Sequence, residues 1–224
     1  MLYGRHVYVV IAGGHGKIAL LLTRQLAMRG DRVVGLVRNP DHVADVEEQG
    51  AVAVVTDLES VSAAELAEHL RPADAVVFAA GAGPGSGSGR KDSVDRGAAV
   101  LLADAARLAG VRRYLLVSSA GVDTPPDPGT DETWAAYVTA KKAAEVAVAE
   151  TDLDWTILRP GQLTDDAPSG KVTLAPPPVG RGKVTRADTA AVLVALLDAP
   201  ATAGKVLELR EGDVDVDAAA KALA

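Results

Sequence analysis

The sequence predicts a doubly wound α/β fold, in which helices cover both faces of a parallel sheet. Short apolar runs alternate along the chain with segments whose apolar residues recur at helical spacing. The apolar runs are mostly unbroken, as in strands that are buried on both faces. Since 224 residues can surround one hydrophobic core, residues 1–224 are expected to form a single domain.

The amino-terminal half contains four predicted strands and three predicted helices. A capping-box spacing begins the third helix, because Ser62 is followed by Glu65, and Gly30 and Gly50 end the first two helices. The predicted strands cover residues 7–12, 32–37, 51–56 and 73–80. The predicted helices cover residues 18–28, 41–49 and 62–70. This alternation indicates right-handed crossovers between parallel strands.

The carboxyl-terminal half continues the alternation but contains long loops. The predicted strands cover 113–117, 155–158 and 206–209, and the predicted helices cover 93–108, 131–150 and 185–197. Residues 81–90 hold five glycines and a proline, which predicts a loop without helix or strand. Loops are also predicted at 120–130 and 160–184. Because ligands bind beyond the carboxyl ends of such strands, we expect 160–185 and the C-terminal segment to form a short extension that covers the substrate side.

Composition excludes several classes of function. The net charge of −7 leaves no basic surface for nucleic acid, and the absence of cysteine excludes disulfides and thiolate metal sites. No apolar run reaches the ~18 residues of a membrane span, and the amino terminus lacks a signal-peptide pattern. The sequence therefore predicts a cytoplasmic protein with a small-molecule substrate and with no metal, nucleic-acid or membrane partner.

A glycine pattern follows the first predicted strand. Gly13, Gly16 and Ala19 read G-x-x-G-x-x-A and open the first predicted helix. Glycines at this spacing allow a tight turn and a close approach of phosphate to the helix amino terminus, which is typical of dinucleotide-binding Rossmann domains. His15 lies within the turn and either donates to phosphate or faces solvent.

Residues after the next two strands bear on the kind of dinucleotide. Arg38 ends the second strand, where a guanidinium suits the 2′-phosphate of NADP, so NADP(H) is favoured over NAD(H). The alternative is a solvated surface arginine. Asp57 and Leu58 follow the third strand, where an adenine would rest. Asp57 either accepts a hydrogen bond from the adenine amine or forms a turn.

A tyrosine and a lysine lie four residues apart on one predicted helix. Tyr137 and Lys141 therefore share a face, and the ammonium is expected to lower the pKa of the phenol so that it can exchange a proton with a carbonyl or an alcohol. Ser119, at the end of the fifth strand, is placed to hold the substrate oxygen. The alternative for the pair is an ordinary amphipathic helix surface.

Five segments together resemble the short-chain dehydrogenase/reductase superfamily, and more narrowly its atypical NAD(P)H-binding members, the NmrA-like and biliverdin-reductase-B-like proteins. The segments are VIAGGHGKIA at 10–19, VD at 94–95, VSSAGVD at 117–123, YVTAKKAAE at 137–145 and WTILRPGQLTDD at 155–166. Residues 171–189 also resemble the short C-terminal substrate region of this family. The resemblance covers nearly the whole chain.

The resemblance implies a role for each matching residue. The cofactor phosphates would be contacted by Gly13, His15, Gly16, Lys17 and Ile18, and the 2′-phosphate would be bound by Arg38. The adenosine ribose is flanked by Ala79, Ala80 and Gly81. The nicotinamide side is formed by Ser118, Ser119, Pro160, Gly161 and Leu163. Tyr137 and Lys141 take the acid/base and ribose-binding roles, while Asp95 stands where longer relatives carry an asparagine for proton relay.

The function expected from these features is NADP(H)-dependent reduction of a small carbonyl, quinone or related acceptor by hydride transfer. One alternative is a non-catalytic protein that senses NADP(H) and changes partner contacts through residues 81–90. Another is a sugar-nucleotide epimerase or dehydratase, although 64 residues after Pro160 are few for a nucleotide-sugar domain. The sequence leaves open whether the protein is a monomer or a homodimer.

Overall fold

The computed structural model describes residues 6–83, 88–127 and 129–223. A nine-stranded sheet dominates the described fold, and a pair of short strands lies apart from it. The first six strands are β1 (Tyr8–Ala12), β2 (Arg32–Val37), β3 (Val52–Val55), β4 (Ala75–Phe78), β5 (Arg113–Val117) and β6 (Asp154–Pro160). The others are β7 (Gln162–Thr164), β8 (Lys171–Ala175), β9 (Lys183–Thr185), β10 (Lys205–Glu211) and β11 (Val214–Asp215).

The large sheet has the order β11-β8-β10-β6-β5-β4-β1-β2-β3. Strands β1 to β6 and β10 are parallel, whereas β8 runs antiparallel to both β10 and β11. The strand order reverses direction between β1 and β4, and a crevice forms at the carboxyl ends of strands at such a point. This topology confirms the predicted doubly wound α/β class.

Helices cover both faces of this sheet. The longer helices are α1 (Lys17–Arg29), α3 (Ala63–Leu70), α5 (Ala98–Ala109), α6 (Glu132–Ala149) and α7 (Arg186–Leu197). The shorter ones are α2 (Val43–Glu48), α4 (Ser88–Arg90) and α8 (Val216–Lys221), with single 3₁₀ turns at Pro40–His42 and Pro200–Thr202 and a π-helical segment at Lys91–Gly97. No described helix combines the length and apolar character that a membrane crossing needs.

Two apolar clusters, one on each face, form the core. One cluster packs α1, α7 and α8 onto the sheet, and the other packs α3, α5 and α6 onto it. Valine, leucine and alanine dominate both clusters, which lets the helices approach the sheet closely. The strands are thereby held so that their carboxyl ends share one edge.

Two predicted loops contain regular structure. The stretch 160–184 was expected to be loop, but β7, β8 and most of β9 lie in it. Strand β8 pairs with β10, more than 30 residues later in the chain, so short-range patterns could not reveal it. The predicted loop 81–90 ends in α4, and residues 84–87 lie outside the described residues. The strand β11 and the helix α8 near the carboxyl terminus were not predicted.

Candidate functional site

The glycine turn after β1 fits closely against two neighbouring strands. Gly13 has a φ of +79°, and a Cβ on it would lie 2.5 Å from the Cα of Ala80. A Cβ on Gly14 would lie 2.8 Å from the Cα of Gly35, and the Gly14 amide donates to the Leu36 carbonyl at 2.9 Å. Glycine is therefore required at both positions by backbone contacts within the fold.

The amino terminus of α1, directly after this turn, has no side-chain cap. Its N-cap residue is Gly16, and the first turn contains no acidic residue. Helices α3, α6 and α7 instead begin with Ser62, Asp131 and Thr185, whose side chains accept hydrogen bonds from the helix. The first amides of α1 and the positive end of its dipole thus suit an anionic group such as a pyrophosphate.

A cavity of about 500 Å³ opens beside this turn, at the carboxyl ends of β2, β3 and β4. We call it the first cavity. Nine of the residues expected to bind the cofactor line it: Gly13, His15, Gly16, Arg38, Asp57, Leu58, Ala79, Ala80 and Gly81. The structure therefore brings together residues from four separate segments of the sequence.

Arg38 lies in an ion-pair cluster that sequence reasoning missed. Its guanidinium is 3.0 Å from a carboxylate oxygen of Glu59, and the Arg90 guanidinium donates to the same oxygen at 2.7 Å. The Ser93 hydroxyl donates to the other oxygen at 2.7 Å. The hydrogen bonds from Arg90 and then from Ser93, together with the charges of the two arginines, lower the pKa of Glu59. Arg90 was hidden from sequence reasoning because it ends the stretch expected to be an unpatterned loop.

Two residues of the first cavity had alternative interpretations. His15 Nε2 lies 2.7 Å from an Asp45 oxygen, and its ring stacks on His42 with centroids 3.6 Å apart, so it is held by protein contacts. Asp57 accepts a hydrogen bond from the Glu59 amide at 3.0 Å, which is the turn geometry. This turn uses only one of the two Asp57 carboxylate oxygens, so the other oxygen could still accept a hydrogen bond from the adenine amine.

Two residues expected to contact phosphate, Lys17 and Ile18, do not line the first cavity. The exposed Lys17 ammonium instead lies 2.6 Å from an Asp165 carboxylate oxygen. Ile18 packs against the apolar core. Lys17 thus ties the start of α1 to the chain after β7.

A second cavity, of about 1330 Å³, lies at the ends of β5 and β6. It is lined by five of the residues predicted to serve catalysis or to form the nicotinamide side: Ser119, Tyr137, Pro160, Gly161 and Leu163. Its wall also contains Trp134, Pro177, Pro178, Arg181 and Arg186, which were not predicted. Most of these belong to 160–184, whose strands could not be read from the sequence.

Tyr137 lies on the wall of the second cavity. Its ring centroid lies 5.3 Å from that of Trp134, and the Ser119 hydroxyl, on the same wall, donates to the Ala120 carbonyl at 3.3 Å. Burial raises the pKa of Tyr137, and the Asp95 charge raises it further, while the Ser119 side chain opposes the change. The expected lowering of this pKa by Lys141 was wrong.

The partners of Lys141 explain that error. Its buried ammonium donates to the Val117 carbonyl at 3.0 Å and forms an ion pair with buried Asp95 at 3.3 Å. Burial lowers the pKa of Lys141, and Asp95 counteracts this effect. A second buried lysine, Lys91, places its ammonium 5.5 Å from the centroid of the Tyr137 ring and donates to the Gly83 carbonyl at 2.9 Å. The cation of Lys141 is thus largely neutralised by Asp95.

Ser118 follows Val117 at the end of β5. Its hydroxyl oxygen is buried and has no hydrogen-bond partner among the described residues. Buried polar atoms are nearly always hydrogen-bonded, so an unpaired one beside a binding cavity suits a polar group of a bound molecule. The residues present therefore fit a dinucleotide, with anion-binding amides at the glycine turn and an unpaired hydroxyl farther along the sheet edge.

A buried ionic network holds the wall of the second cavity. Arg159 donates to both carboxylate oxygens of Glu145, at 2.8 and 2.6 Å, and also pairs with Asp123. Hydrogen bonds from Arg159 and then from Lys142 lower the pKa of Asp123 to about 2. The network joins β6 and α6 to the segment after β5, which carries Ser119.

The described residues contain no group of three or more histidine, aspartate or glutamate side chains placed to hold a metal ion. The geometry of the site is instead that of a groove along one sheet edge. One end offers helix amides and arginines, and the other offers Ser119 and Tyr137 on the wall of an open cavity.

Known proteins resemble this chain in sequence and in fold. Residues 13–200 match the family described as NAD(P)H-binding. The chain is 31% identical to an uncharacterized sugar epimerase of Bacillus subtilis over 96% of its own length and 99% of that protein.

Two solved structures are similar along almost their whole length. A Bacillus halodurans protein with the provisional name NAD-dependent epimerase/dehydratase has a TM-score of 0.88 and 32% identity, covering 96% of this chain and 99% of that one. The anaerobillin reductase of Escherichia coli O157:H7 has a TM-score of 0.77 and 27% identity, covering 93% and 98%.

Proposed function

The chain belongs to the NAD(P)H-binding family, and on that premise we propose that it is an NADP(H)-dependent reductase of a small carbonyl, quinone or related acceptor. The resemblance to atypical short-chain dehydrogenases/reductases, first suggested by the sequence motifs, is confirmed by the family match and the similar structures. The proposal concerns the preferred cofactor, the reaction and the residues that carry it.

In this proposal the cofactor lies along the carboxyl edge of the sheet. The amides at the start of α1 hold the pyrophosphate, and the adenosine half occupies the first cavity among Asp57, Leu58 and the 79–81 segment. Ser118 and Lys141 then lie on the nicotinamide side, where the unpaired Ser118 hydroxyl gains a partner. Pro160, Gly161 and Leu163 cover this side.

Preference for NADP(H) over NAD(H) rests on Arg38. Its side chain is half exposed at the end of β2, in the first cavity, where the adenosine ribose would lie. A guanidinium binds phosphate through paired, charge-assisted hydrogen bonds. NAD(H), which lacks this phosphate, is the alternative cofactor.

The observation that carries the reductase proposal is the position of Ser119 and Tyr137 together on the wall of the second cavity, where the Ser119 side chain acts on the Tyr137 phenol. Because the pKa of Tyr137 is raised, its phenol keeps its proton at neutral pH and is a donor rather than a base. A donor is what the reduction of a carbonyl or quinone requires, whereas alcohol oxidation requires a base.

The proposed reaction gives a role to the cofactor and to each of the three side chains Tyr137, Ser119 and Lys141. A bound NADPH supplies a hydride, with its electron pair, to the acceptor carbon or ring. Tyr137 transfers its proton to the acceptor oxygen, and Ser119 holds that oxygen in place. Water in the open cavity returns a proton to the Tyr137 phenolate. Lys141 binds the ribose on the nicotinamide side and keeps the end of β5 in place through the Val117 carbonyl.

The shape of the second cavity favours a planar acceptor. Trp134 is half exposed and lies beside the Tyr137 ring, so the two aromatic side chains offer a surface on which a conjugated ring can stack. The similar Escherichia coli protein is named a reductase, which supports reduction of the substrate rather than its oxidation.

A second candidate is a sugar epimerase, which the name of the Bacillus subtilis relative favours. An epimerase oxidises and then reduces the same substrate, so it consumes no cofactor overall. A cofactor-sensing protein without catalysis would also consume none. Net oxidation of NADPH therefore separates the reductase from both alternatives.

The test is NADPH oxidation with a panel of quinones, flavins and aldehydes. Loss of the positioned proton donor in Tyr137→Phe is expected to lower kcat by about 100-fold or more. Tyr8→Phe is the matched control. Tyr8 begins β1 and so lies at the end of this strand away from the glycine turn and the cavities, and the variant should retain the wild-type rate. An undiminished rate in Tyr137→Phe removes this residue from the reaction, and no NADPH oxidation with any acceptor contradicts the reductase proposal.

A further inference from the structure

Glu59 sits between two arginines in the first cavity. One carboxylate oxygen accepts from Arg38 at 3.0 Å and from Arg90 at 2.7 Å, and the other accepts from Ser93 at 2.7 Å. The three partners come from the end of β2, from α4 and from the π-helical segment. The Glu59 side chain is only 25% exposed, whereas those of Arg38 and Arg90 are 54% and 40% exposed.

The charges of this cluster do not cancel. Two guanidinium groups face the single carboxylate of Glu59, which leaves the cluster itself one positive charge; the glycine turn and one further carboxylate, that of Asp57, also line the cavity. A guanidinium has five N–H donors in a planar fork, so each arginine retains donors beyond those given to Glu59. The cluster therefore suits an anion with more charge and more acceptor oxygens than a carboxylate.

We propose that Glu59 competes with the 2′-phosphate of NADP(H) for Arg38, and that Arg90 is a second arginine of the 2′-phosphate site. This inference rests on the proposed function, in which NADP(H) is the preferred cofactor. It makes Glu59 a residue that limits the preference for NADP(H), while Arg90 strengthens that preference.

The competition has a definite physical basis. A phosphate monoester carries about −1.5 to −2 charges at neutral pH, against −1 for a carboxylate, so the phosphate displaces Glu59 from the arginines. Glu59 remains ionised at that pH, because hydrogen bonds from Arg90 and Ser93 lower its pKa. NADH has no phosphate at this position and leaves the Glu59 contacts intact. The free-energy cost of displacing Glu59 therefore weakens the binding of NADPH but not that of NADH.

The chain offers matched controls for both residues. Arg96 is an exposed arginine on the π-helical segment that directly follows Arg90, but its partner is Asp92. Glu68 is an exposed glutamate that pairs with Arg71 on the surface of α3. Neither lines the first cavity. Glu59→Gln keeps the shape of the side chain and its ability to accept hydrogen bonds, so the variant changes chiefly the charge.

The experiment measures dissociation constants for NADPH and for NADH by fluorescence titration of each variant. Loss of one charge-assisted contact in Arg90→Ala is expected to weaken NADPH binding about 10-fold and to leave NADH within about 2-fold. Removal of the competing charge in Glu59→Gln is expected to tighten NADPH binding about 5-fold, again with little change for NADH. Arg96→Ala and Glu68→Gln should match the wild type.

The outcomes separate this inference from the proposed function. If wild-type protein prefers NADPH but Glu59→Gln does not increase the ratio of NADPH to NADH affinity, Glu59 is not a competitor. An unchanged ratio in Arg90→Ala likewise removes Arg90 from the phosphate site. In both cases the proposed cofactor preference stands on Arg38. Wild-type protein that binds neither nucleotide contradicts the proposed function itself.

Discussion

The Lys141 ammonium and an Asp95 carboxylate oxygen lie 3.3 Å apart in the interior, and both side chains are at least 95% buried. This pair connects the π-helical segment to α6 beside Tyr137. Burial of Tyr137 and, to a smaller extent, the Asp95 charge raise its pKa, so the tyrosine remains a proton donor. The expected effect of a Y-x-x-x-K spacing is thus overridden by burial and by a third residue from another helix.

Removing one member of this pair should strongly destabilise the fold. Lys141→Met leaves the Asp95 carboxylate buried without its cation, and we expect a loss of about 3–5 kcal/mol in the free energy of unfolding. Urea denaturation measures this loss. Lys142→Met, one residue along, removes a partly exposed ammonium that pairs with Asp123 and lies 3.8 Å from a Glu145 oxygen. This variant should cost under about 1 kcal/mol, because both carboxylates keep Arg159 as a partner.

A double-mutant cycle tests the coupling directly. The free-energy loss in Asp95→Asn/Lys141→Met should be smaller than the sum of the two single losses, because the second change removes an already unpaired group. Additive losses would show that the two side chains act independently.

The buried pair of Arg159 and Glu145 should also be essential to stability. Glu145→Ala leaves the guanidinium without its two-point partner in the interior, and the expected cost is about 3–5 kcal/mol in thermal or urea unfolding. Glu150→Ala, at the exposed end of the same helix, should change stability by no more than about 0.5 kcal/mol. Equal effects of the two substitutions would contradict a structural role for the network.

Asp123 gives this network a dependence on pH. Its pKa is lowered from 3.8 to about 2, so its contribution is fully present above pH 3.8 and is lost as the pH falls through 2. In Asp123→Asn, the free energy of unfolding should be lower at neutral pH and should fall less steeply between pH 4 and 2. Unfolding curves at several pH values measure this slope, and an identical slope in both proteins would refute the assignment.

Two glycines with nearly the same φ should respond differently to alanine. Gly13 has a φ of +79° and no room for a Cβ, whereas Gly110 has a φ of +78° and no atom within 4 Å of a Cβ. Gly110→Ala should cost about 1 kcal/mol from backbone strain and retain cofactor affinity. Gly13→Ala should also displace the turn and weaken NADPH binding by at least about 100-fold, measured by fluorescence titration. Equal binding by the two variants would contradict the proposed position of the cofactor.

The central parallel sheet and its helices could be predicted because local patterns specify them. Gly30 ends α1 in the left-handed conformation, and Ser62 and Glu65 form the predicted capping box. The glycine turn was also predictable, since its spacing lies between a buried strand and a helix. These features depend on residues that are close in the sequence.

Long-range pairing accounts for most of what could not be predicted. The strand at Lys171–Ala175 exists because it pairs with Lys205–Glu211, and no local pattern marks it. The contact of Glu59 with Arg90 and that of Lys141 with Asp95 could not be predicted either, because each joins residues that are far apart in the sequence. A pKa depends on all of the charges around a group, so the direction for Tyr137 could not follow from a single lysine four residues away.

The most direct test of the proposed NADP(H) site is a calorimetric titration of wild-type protein and Arg38→Ala with NADPH and with NADH. We expect wild-type protein to bind NADPH more tightly than NADH, and we expect Arg38→Ala to weaken NADPH binding about 10- to 100-fold while NADH binding changes little. Arg71→Ala, which changes a surface arginine outside the cavity, should behave as wild type. An unaltered ratio of the two affinities in Arg38→Ala, or no binding of either nucleotide by wild-type protein, would contradict an NADP(H) site at Arg38.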